Sequence, residues 1–184
     1  MYIGTFLATA CVFASGLSVM TAEAAQPAAA KPATAAAGKT PKLSAFKWYT
    51  SKAEALAAAQ KYNVPVFVVF TAEDCSYCKK LEKEILASSA FKKGVKGKAV
   101  GLMFKRKSLR TPWTGDAADC QHWLIMRTTP GLAIVAPNGE RMEPCGYRAD
   151  KQPKEYTERI QLCYDKLRQE AQPDADTSDD ASAE

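Results

Sequence analysis

Two cysteines that lie three residues apart are the part of this sequence best suited to chemistry. Cys75 and Cys78 enclose Ser76 and Tyr77, and no other two of the six cysteines lie so close together. With this spacing one thiolate can attack a disulfide, and the second thiol can resolve the mixed disulfide that forms. The motif therefore predicts a redox-active pair, with Cys75 as the nucleophile and Cys78 as the resolving thiol.

The residues on either side predict where this pair lies in the fold. Residues 64–70, VPVFVVF, are a continuous β-branched and aromatic run, which is typical of a strand buried on both faces. After the motif, apolar side chains recur at helical spacing at Leu81, Ile85 and Leu86. Cys75 is therefore expected at a helix N-terminus, where free backbone N–H groups and the helix dipole stabilise an anion. That position lowers a thiol pKa from about 8.5 towards neutrality.

Two other uses of a close cysteine pair remain open. Half of a zinc site would need a second cysteine pair or a histidine pair, but the only histidine is His122 and the other cysteines are scattered. We therefore predict no metal ligands and no cofactor. A purely structural disulfide is the second alternative, although such bridges seldom sit where a strand meets a helix.

The remaining pattern predicts the elements that must position the pair. Ser51 and Glu54 match a capping box at the start of a helix that ends at Asn63. Further elements are expected as strands at residues 99–104, 132–135 and 141–145, a short helix at 119–126, a hairpin turn at 137–140 and a last helix at 153–170. This order predicts an α/β fold with a central mixed β-sheet and helices on both faces.

Both ends of the chain differ in composition from its middle. Residues 1–24 have the layout of a secretory signal peptide, for which an uncleaved membrane anchor is the alternative. Residues 25–44, rich in Ala and Pro, predict a disordered linker, and residues 171–184 predict a disordered acidic tail. Residues 45–170 are then the folded domain, and the protein is expected in the periplasm or outside the cell.

Charge is distributed unevenly along the chain. The net charge is +5, but six acidic residues lie at Glu23 and in the tail, so residues 25–170 carry about +11. Eight basic residues lie between Lys92 and Arg110. Such a surface suits an acidic partner, a glycan, nucleic acid or anionic lipid, but a solvated loop and strand edge is the favoured interpretation. Since export argues against nucleic acid, we predict no nucleic-acid partner and no membrane insertion after cleavage.

Together these features resemble the thioredoxin superfamily, and most of all its exported thioredoxin-like proteins. The resemblance covers about residues 46–167 and rests on five motifs: Glu54-Ala55-Leu56, residues 64–86, Thr129-Pro130, Asn138-Gly139 and Gly146-Tyr147. It implies the thioredoxin-like fold and a cis proline, Pro130, that faces the cysteine pair. It also implies a substrate groove formed by Thr129, Pro130, Ser76 and Tyr77, in which a substrate strand pairs with the backbone. The implied partners are exported proteins with cysteines and an unidentified redox partner.

Departures from the family pattern bear on the direction of electron flow. Val69 stands where thioredoxin has a buried aspartate, and Asp74 replaces the tryptophan that usually precedes the first cysteine. Glu73 and Asp74 oppose ionisation of Cys75, whereas the two lysines that follow Cys78 favour it. The Ser-Tyr spacer is similar to spacers in glutaredoxins and disulfide isomerases. Reduction or isomerisation is therefore favoured over oxidation.

Three further cysteines belong to the predicted domain. Cys163 lies on the apolar stripe of the last helix and is expected in the core. Cys145 ends a strand that borders the substrate groove in the family, which makes it a candidate accessory thiol that senses or relays redox state, with Cys120 as its candidate partner. The alternative is that both are small buried hydrophobic side chains.

The sequence thus favours an enzyme, an exported thiol–disulfide oxidoreductase that acts on protein disulfides. Two alternatives come from other classes. One is a binding module that uses the same fold as a scaffold, with the cysteine pair as a static bridge and no turnover. The other is a glutaredoxin-like iron–sulfur carrier.

Overall fold

The computed structural model describes residues 41–171. The predicted signal peptide, most of the predicted linker (residues 25–40) and residues 172–184 of the predicted tail lie outside this range. Within it, the chain forms one mixed sheet with helices against both of its faces. This is the α/β thioredoxin-like architecture that the sequence predicts.

The sheet has five strands in the described range. They are β1 (Trp48–Tyr49), β2 (Val66–Ala72), β3 (Val100–Arg106), β4 (Gly131–Val135) and β5 (Arg141–Pro144). Their spatial order is β1-β3-β2-β4-β5. The first three in that order run parallel, whereas β4 is antiparallel to both β2 and β5. The sheet is therefore mixed, and β2 lies at its centre.

The helices connect and cover these strands. They are α1 (Lys52–Tyr62), α2 (Ser76–Lys80), which continues as a π-helical segment (Leu81–Leu86), α3 (Ser89–Val95), α4 (Asp116–Trp123) and α5 (Pro153–Glu170). The last helix has the bounds that the sequence predicts. Helix α1 also follows its predicted signals, since the Ser51 hydroxyl accepts a hydrogen bond from the Glu54 backbone N–H and Asn63 takes a left-handed φ of 47°.

Alternating side chains of β2 contribute to two hydrophobic clusters, one on each face of the sheet. Phe67 and Val69 pack in the cluster that includes side chains of the π-helical segment, α3 and α5. Val66, Val68 and Phe70 pack in the other cluster, with side chains of α1 and α4. All seven residues of β2 are buried. The continuous apolar run in the sequence is explained by this burial on both faces.

Some element boundaries differ from the predicted ones because of contacts that a local pattern does not contain. Strand β2 begins at Val66 rather than at residue 64, since the Val64 N–H donates to the Ala59 carbonyl at the end of α1 (3.1 Å). Helix α4 begins at Asp116 rather than at residue 119, and the Asp116 carboxylate accepts a hydrogen bond from the Lys52 N–H (2.9 Å). These interactions join segments that are distant in sequence or belong to different elements.

Two elements were not predicted, namely β1 and α3. Strand β1 has two residues, and its place is set by parallel pairing with β3, where Trp48 lies opposite Gly101. Helix α3 is capped at its N-terminus by Ser88, whose hydroxyl accepts a hydrogen bond from the Phe91 N–H (3.1 Å). The predicted hairpin between β4 and β5 is confirmed, with Gly139 at a φ of 94°.

The contact between Trp48 and Gly101 leads to a prediction about stability. A Cβ atom at Gly101 would overlap the Trp48 ring, which is itself packed against Phe46 and Phe67. Gly101→Ala is therefore expected to lower the free energy of unfolding by about 1–3 kcal/mol, the usual cost of overpacking. Gly146→Ala is the matched control, because nothing lies within 4 Å of a Cβ there. Equal urea midpoints for the two variants would contradict this account of β1.

Candidate active site

Cys75 and Cys78 lie at the junction of the central strand and a helix. Strand β2 ends at Ala72, two residues follow, and Cys75 is the N-cap residue of α2. The Cys75 sulfur accepts a hydrogen bond from the Cys78 backbone N–H (3.1 Å), and the two cysteines form a disulfide. The predicted placement of Cys75 at a helix N-terminus is therefore confirmed. Both residues are buried, with Cys75 4% exposed.

The hydrogen bond to the Cys75 sulfur matters chemically because its donor is a backbone N–H in the first turn of a helix. Such N–H groups lack partners within the helix and carry the positive end of the helix dipole. Hydrogen bonding to the charged form of an acid lowers its pKa. When the disulfide is reduced, the same N–H can therefore stabilise a Cys75 thiolate.

The loop before β4 faces this sulfur. The Thr129 carbonyl oxygen lies 3.8 Å from the Cys75 sulfur, and the Thr129–Pro130 peptide bond is cis. Next to them is a cavity of about 270 Å³, lined by Tyr77, Thr128, Thr129, Pro130, Tyr147 and Ala149. The structure thus brings three of the predicted groove residues together: Tyr77, Thr129 and Pro130. Ser76 is exposed and is not among the residues that line the cavity.

Two tyrosines form one side of this cavity. The rings of Tyr77 and Tyr147 lie 6.2 Å apart between centroids, and Tyr77 is 55% exposed. Sequence reasoning did not single out Tyr147 as a site residue. Its position directly after the strand expected to border the groove was the available signal. Together the rings give the cavity an apolar side next to the disulfide.

Asp74, directly before Cys75, is held by the loop after β3. Its carboxylate accepts hydrogen bonds from the Ser108 hydroxyl (2.6 Å) and from the Leu109 N–H (2.8 Å). The hydrogen bond from Ser108 is the largest influence that lowers the pKa of Asp74 below its usual value. Asp74 therefore stays charged at neutral pH, and the negative charge expected beside Cys75 is fixed in place.

Residues 52–161 match the family model of the thioredoxin-like domain. The chain belongs to this thioredoxin-like family. The comparison with curated proteins finds no significant match.

Several solved structures are similar to this thioredoxin-like domain. A structure described as the DsbH oxidoreductase is 21% identical, with a TM-score of 0.50, over 71% of this chain and 93% of that one. A thioredoxin from Thermus thermophilus is 21% identical, with a TM-score of 0.49, over 64% of this chain and 86% of that one. The C-terminal domain of DsbD from Neisseria meningitidis, in reduced form, is 19% identical, with a TM-score of 0.46, over 61% and 92%. At 21% identity the likeness to the DsbH oxidoreductase concerns the fold alone.

The other three cysteines of the thioredoxin-like domain lie on opposite faces of the sheet. Cys120 belongs to the cluster with α1 and α4, whereas Cys145 and Cys163 belong to the cluster on the opposite face. The prediction that Cys120 is the partner of Cys145 is therefore wrong, because the sheet lies between them. The prediction that Cys163 lies in the core is confirmed.

All three of these thiols are shielded from solvent. Cys120, Cys145 and Cys163 are free and buried, and burial raises the pKa of each to about 11. A buried thiol of high pKa is a poor nucleophile. Their environment therefore fits small hydrophobic core residues better than the accessory role considered for Cys145 and Cys120.

The residue that replaces the family aspartate is also part of the core. Val69 is fully buried in the cluster that includes Leu81 of the π-helical segment. An apolar side chain at this position can neither accept nor donate a proton. Any proton that leaves Cys78 must therefore reach solvent or substrate by another route.

Between residues 41 and 171, no group of three or more His, Cys, Asp or Glu side chains is placed to hold a metal ion. In the same range, none of the helices combines the length and the apolar character needed to cross a membrane.

The difference between the two classes of cysteine leads to a labelling prediction. At pH 8 a thiol with a pKa of about 11 is ionised in about one molecule in a thousand. In native, reduced protein, iodoacetamide is expected to label Cys75 well before Cys120, Cys145 or Cys163, as read by peptide mass spectrometry. All should react once the protein is unfolded in urea. Labelling of Cys145 in native protein as fast as Cys75 would contradict its described burial.

Proposed function

We propose that this protein is a thiol–disulfide oxidoreductase that acts on protein disulfides through Cys75 and Cys78. The observation that carries the proposal is the environment of the Cys75 sulfur. It accepts a helix N-terminal N–H from Cys78 at 3.1 Å and lies 3.8 Å from the Thr129 carbonyl oxygen, beside an open cavity. This combines a group that stabilises a thiolate with space for a substrate.

The reaction proceeds in two exchanges. The thiolate of Cys75 attacks one sulfur of a substrate disulfide, forming a mixed disulfide and releasing the other substrate sulfur as a thiolate. Cys78 then loses its proton and attacks the Cys75 sulfur, which releases the second substrate thiolate and leaves the Cys75–Cys78 disulfide. Two electrons pass from the protein to the substrate. A redox partner that supplies a dithiol restores the reduced pair.

The groove residues position the substrate in this scheme. An extended segment of substrate lies along Thr129 and Pro130, in the way that extended peptides add to exposed backbone. Tyr77 and Tyr147 contact the side chains next to the substrate cysteine, since their rings form one side of the cavity. Ser76 forms the exposed start of the helix between the two cysteines.

Export is part of the proposal and rests on the N-terminal sequence. Residues 1–24 have the composition of a signal peptide, and a periplasmic or secreted location gives the protein cysteine-containing substrates. Reduction or isomerisation is the proposed direction. The Ser-Tyr spacer supports this direction, because it is similar to spacers in glutaredoxins and disulfide isomerases.

A second candidate is a binding module in which the disulfide is permanent. The near-complete burial of both cysteines favours it, because a buried bridge is poorly accessible to reductants. The two candidates differ in one measurable property, the reduction potential of the pair.

Substitution of each cysteine separates their proposed roles. Cys75→Ser is expected to reduce insulin-disulfide reduction to the level of dithiothreitol alone, because the attacking thiolate is lost. Cys78→Ser should accumulate mixed disulfides, visible on non-reducing gels, because nothing resolves them. Cys163→Ala, which removes a core thiol, is the control and should retain activity. Undiminished activity of Cys75→Ser would refute the proposal.

The reduction potential is the second test. For a reductase or isomerase we expect a value between about −270 and −180 mV, measured by equilibration of the pair with glutathione or dithiothreitol. A value below about −300 mV would support the permanent bridge of the binding module. A value near about −120 mV would contradict the proposed direction and indicate an oxidant.

A further inference from the structure

Arg106, the last residue of β3, lies beside the segment that leads to the cysteine pair. It pairs with Ala72, the last residue of β2, and its carbonyl accepts a hydrogen bond from the Glu73 N–H (3.0 Å). Ala72 in turn accepts a hydrogen bond from the Cys75 N–H (3.3 Å). Two backbone hydrogen bonds, linked through the adjacent residues Ala72 and Glu73, therefore connect Arg106 to the proposed nucleophile.

The Arg106 side chain joins two loops. One terminal nitrogen, Nη1, donates to the Thr111 carbonyl (2.7 Å), and the other, Nη2, donates to the Thr129 hydroxyl (3.1 Å). The guanidinium also stacks on the ring of Trp113, 4.5 Å from its centroid. Trp113 packs edge-on against Phe70 of β2. A planar guanidinium held on one face and at both ends has little freedom to move.

Within the described part of the chain, the Arg106 guanidinium is not a partner in any salt bridge. Asp74 is the nearby carboxylate on which its charge acts, but hydrogen bonds from Ser108 and Leu109 hold that side chain. Arg106 instead touches Thr129, whose carbonyl oxygen faces the Cys75 sulfur. The positive charge of Arg106 is therefore held close to the cysteine site, in contact with Thr129, which borders that site.

We propose that Arg106 is a positioning residue of the dithiol site, which fixes Thr129 against Cys75 and favours the Cys75 thiolate through its charge. This inference rests on the proposed function. Two opposing influences meet at the sulfur. The Thr129 carbonyl can accept a hydrogen bond from a protonated Cys75 thiol and so favours the thiol, whereas a nearby cation favours the thiolate. Arg106 holds the Thr129 carbonyl in place, and its positive charge counteracts the effect of that carbonyl on the ionisation of Cys75.

The experiment measures the ionisation of Cys75 in the full chain without any substrate. Reduced protein is alkylated with iodoacetamide across a range of pH, and labelling of Cys75 is followed by mass spectrometry. For Arg106→Gln, which removes the charge, the fraction of Cys75 thiolate at pH 6 is expected to fall about threefold to tenfold. Arg106→Lys keeps the charge and should restore most of that fraction.

Lys105→Gln is the matched control for charge. It removes the same charge from the adjacent residue, whose side chain points to the opposite face of the sheet and pairs with Glu82. We expect no change in the pH dependence of Cys75 alkylation for this variant. An unchanged profile for Arg106→Gln, or an equal shift for Lys105→Gln, would overturn the proposal.

A second pair of variants tests the positioning role and does not depend on the folding of Arg106→Gln. Thr129→Val removes the hydroxyl that accepts from Arg106 but keeps the charge. The KM for insulin should rise severalfold while the fraction of Cys75 thiolate does not fall, and Thr129→Ser should restore the KM. Wild-type kinetics for Thr129→Val would overturn the positioning role. If wild-type protein fails to reduce insulin, the proposed function fails, but the alkylation profiles still decide the role of the Arg106 charge.

Discussion

The hydrogen bond from the Cys78 N–H to the Cys75 sulfur is the interaction on which the site depends. It forms because the fully buried central strand β2 ends just before Cys75 and so fixes the position at which helix α2 begins. The pairing of β2 with both β3 and β4 fixes that strand, and β4 also brings Thr129 to the sulfur. The same backbone contacts of the sheet therefore position both the proposed nucleophile and the proposed groove.

Much of this arrangement follows from local sequence. The apolar run of β2, the cysteine spacing and the helical pattern after it predict the site, since each depends on residues close together in the chain. Helix α5 and the hairpin at Gly139 are likewise fixed by periodicity and turn chemistry. The local pattern predicts neither strand β1 nor the contacts of Arg106, because both arise from interactions between distant segments. Arg106 is also one of eight basic residues in a short stretch, where nothing in the pattern distinguishes it.

The cysteines also show what a local sequence pattern can and cannot predict. Local pattern placed Cys163 in the core because its helix shows a clear apolar stripe. It failed for Cys120 and Cys145, whose separation depends on which face of the sheet each segment covers. The result is a domain in which one sulfur pair lies beside an open cavity and three thiols are enclosed in two separate clusters.

The π-helical segment after α2 has a consequence for how this protein tolerates changes in length. A π-helical turn holds one more residue than an α-helical turn, and its wider ring lies downstream of both cysteines. Loss of one residue between Leu81 and Leu86 would convert it to ordinary α-helix while leaving the sulfurs upstream where they are. Any other insertion or deletion here would rotate the following apolar side chains, among them the buried Ile85 and Leu86, about the helix axis. Such a change would disturb the packing of the interior and not the sulfurs that lie upstream.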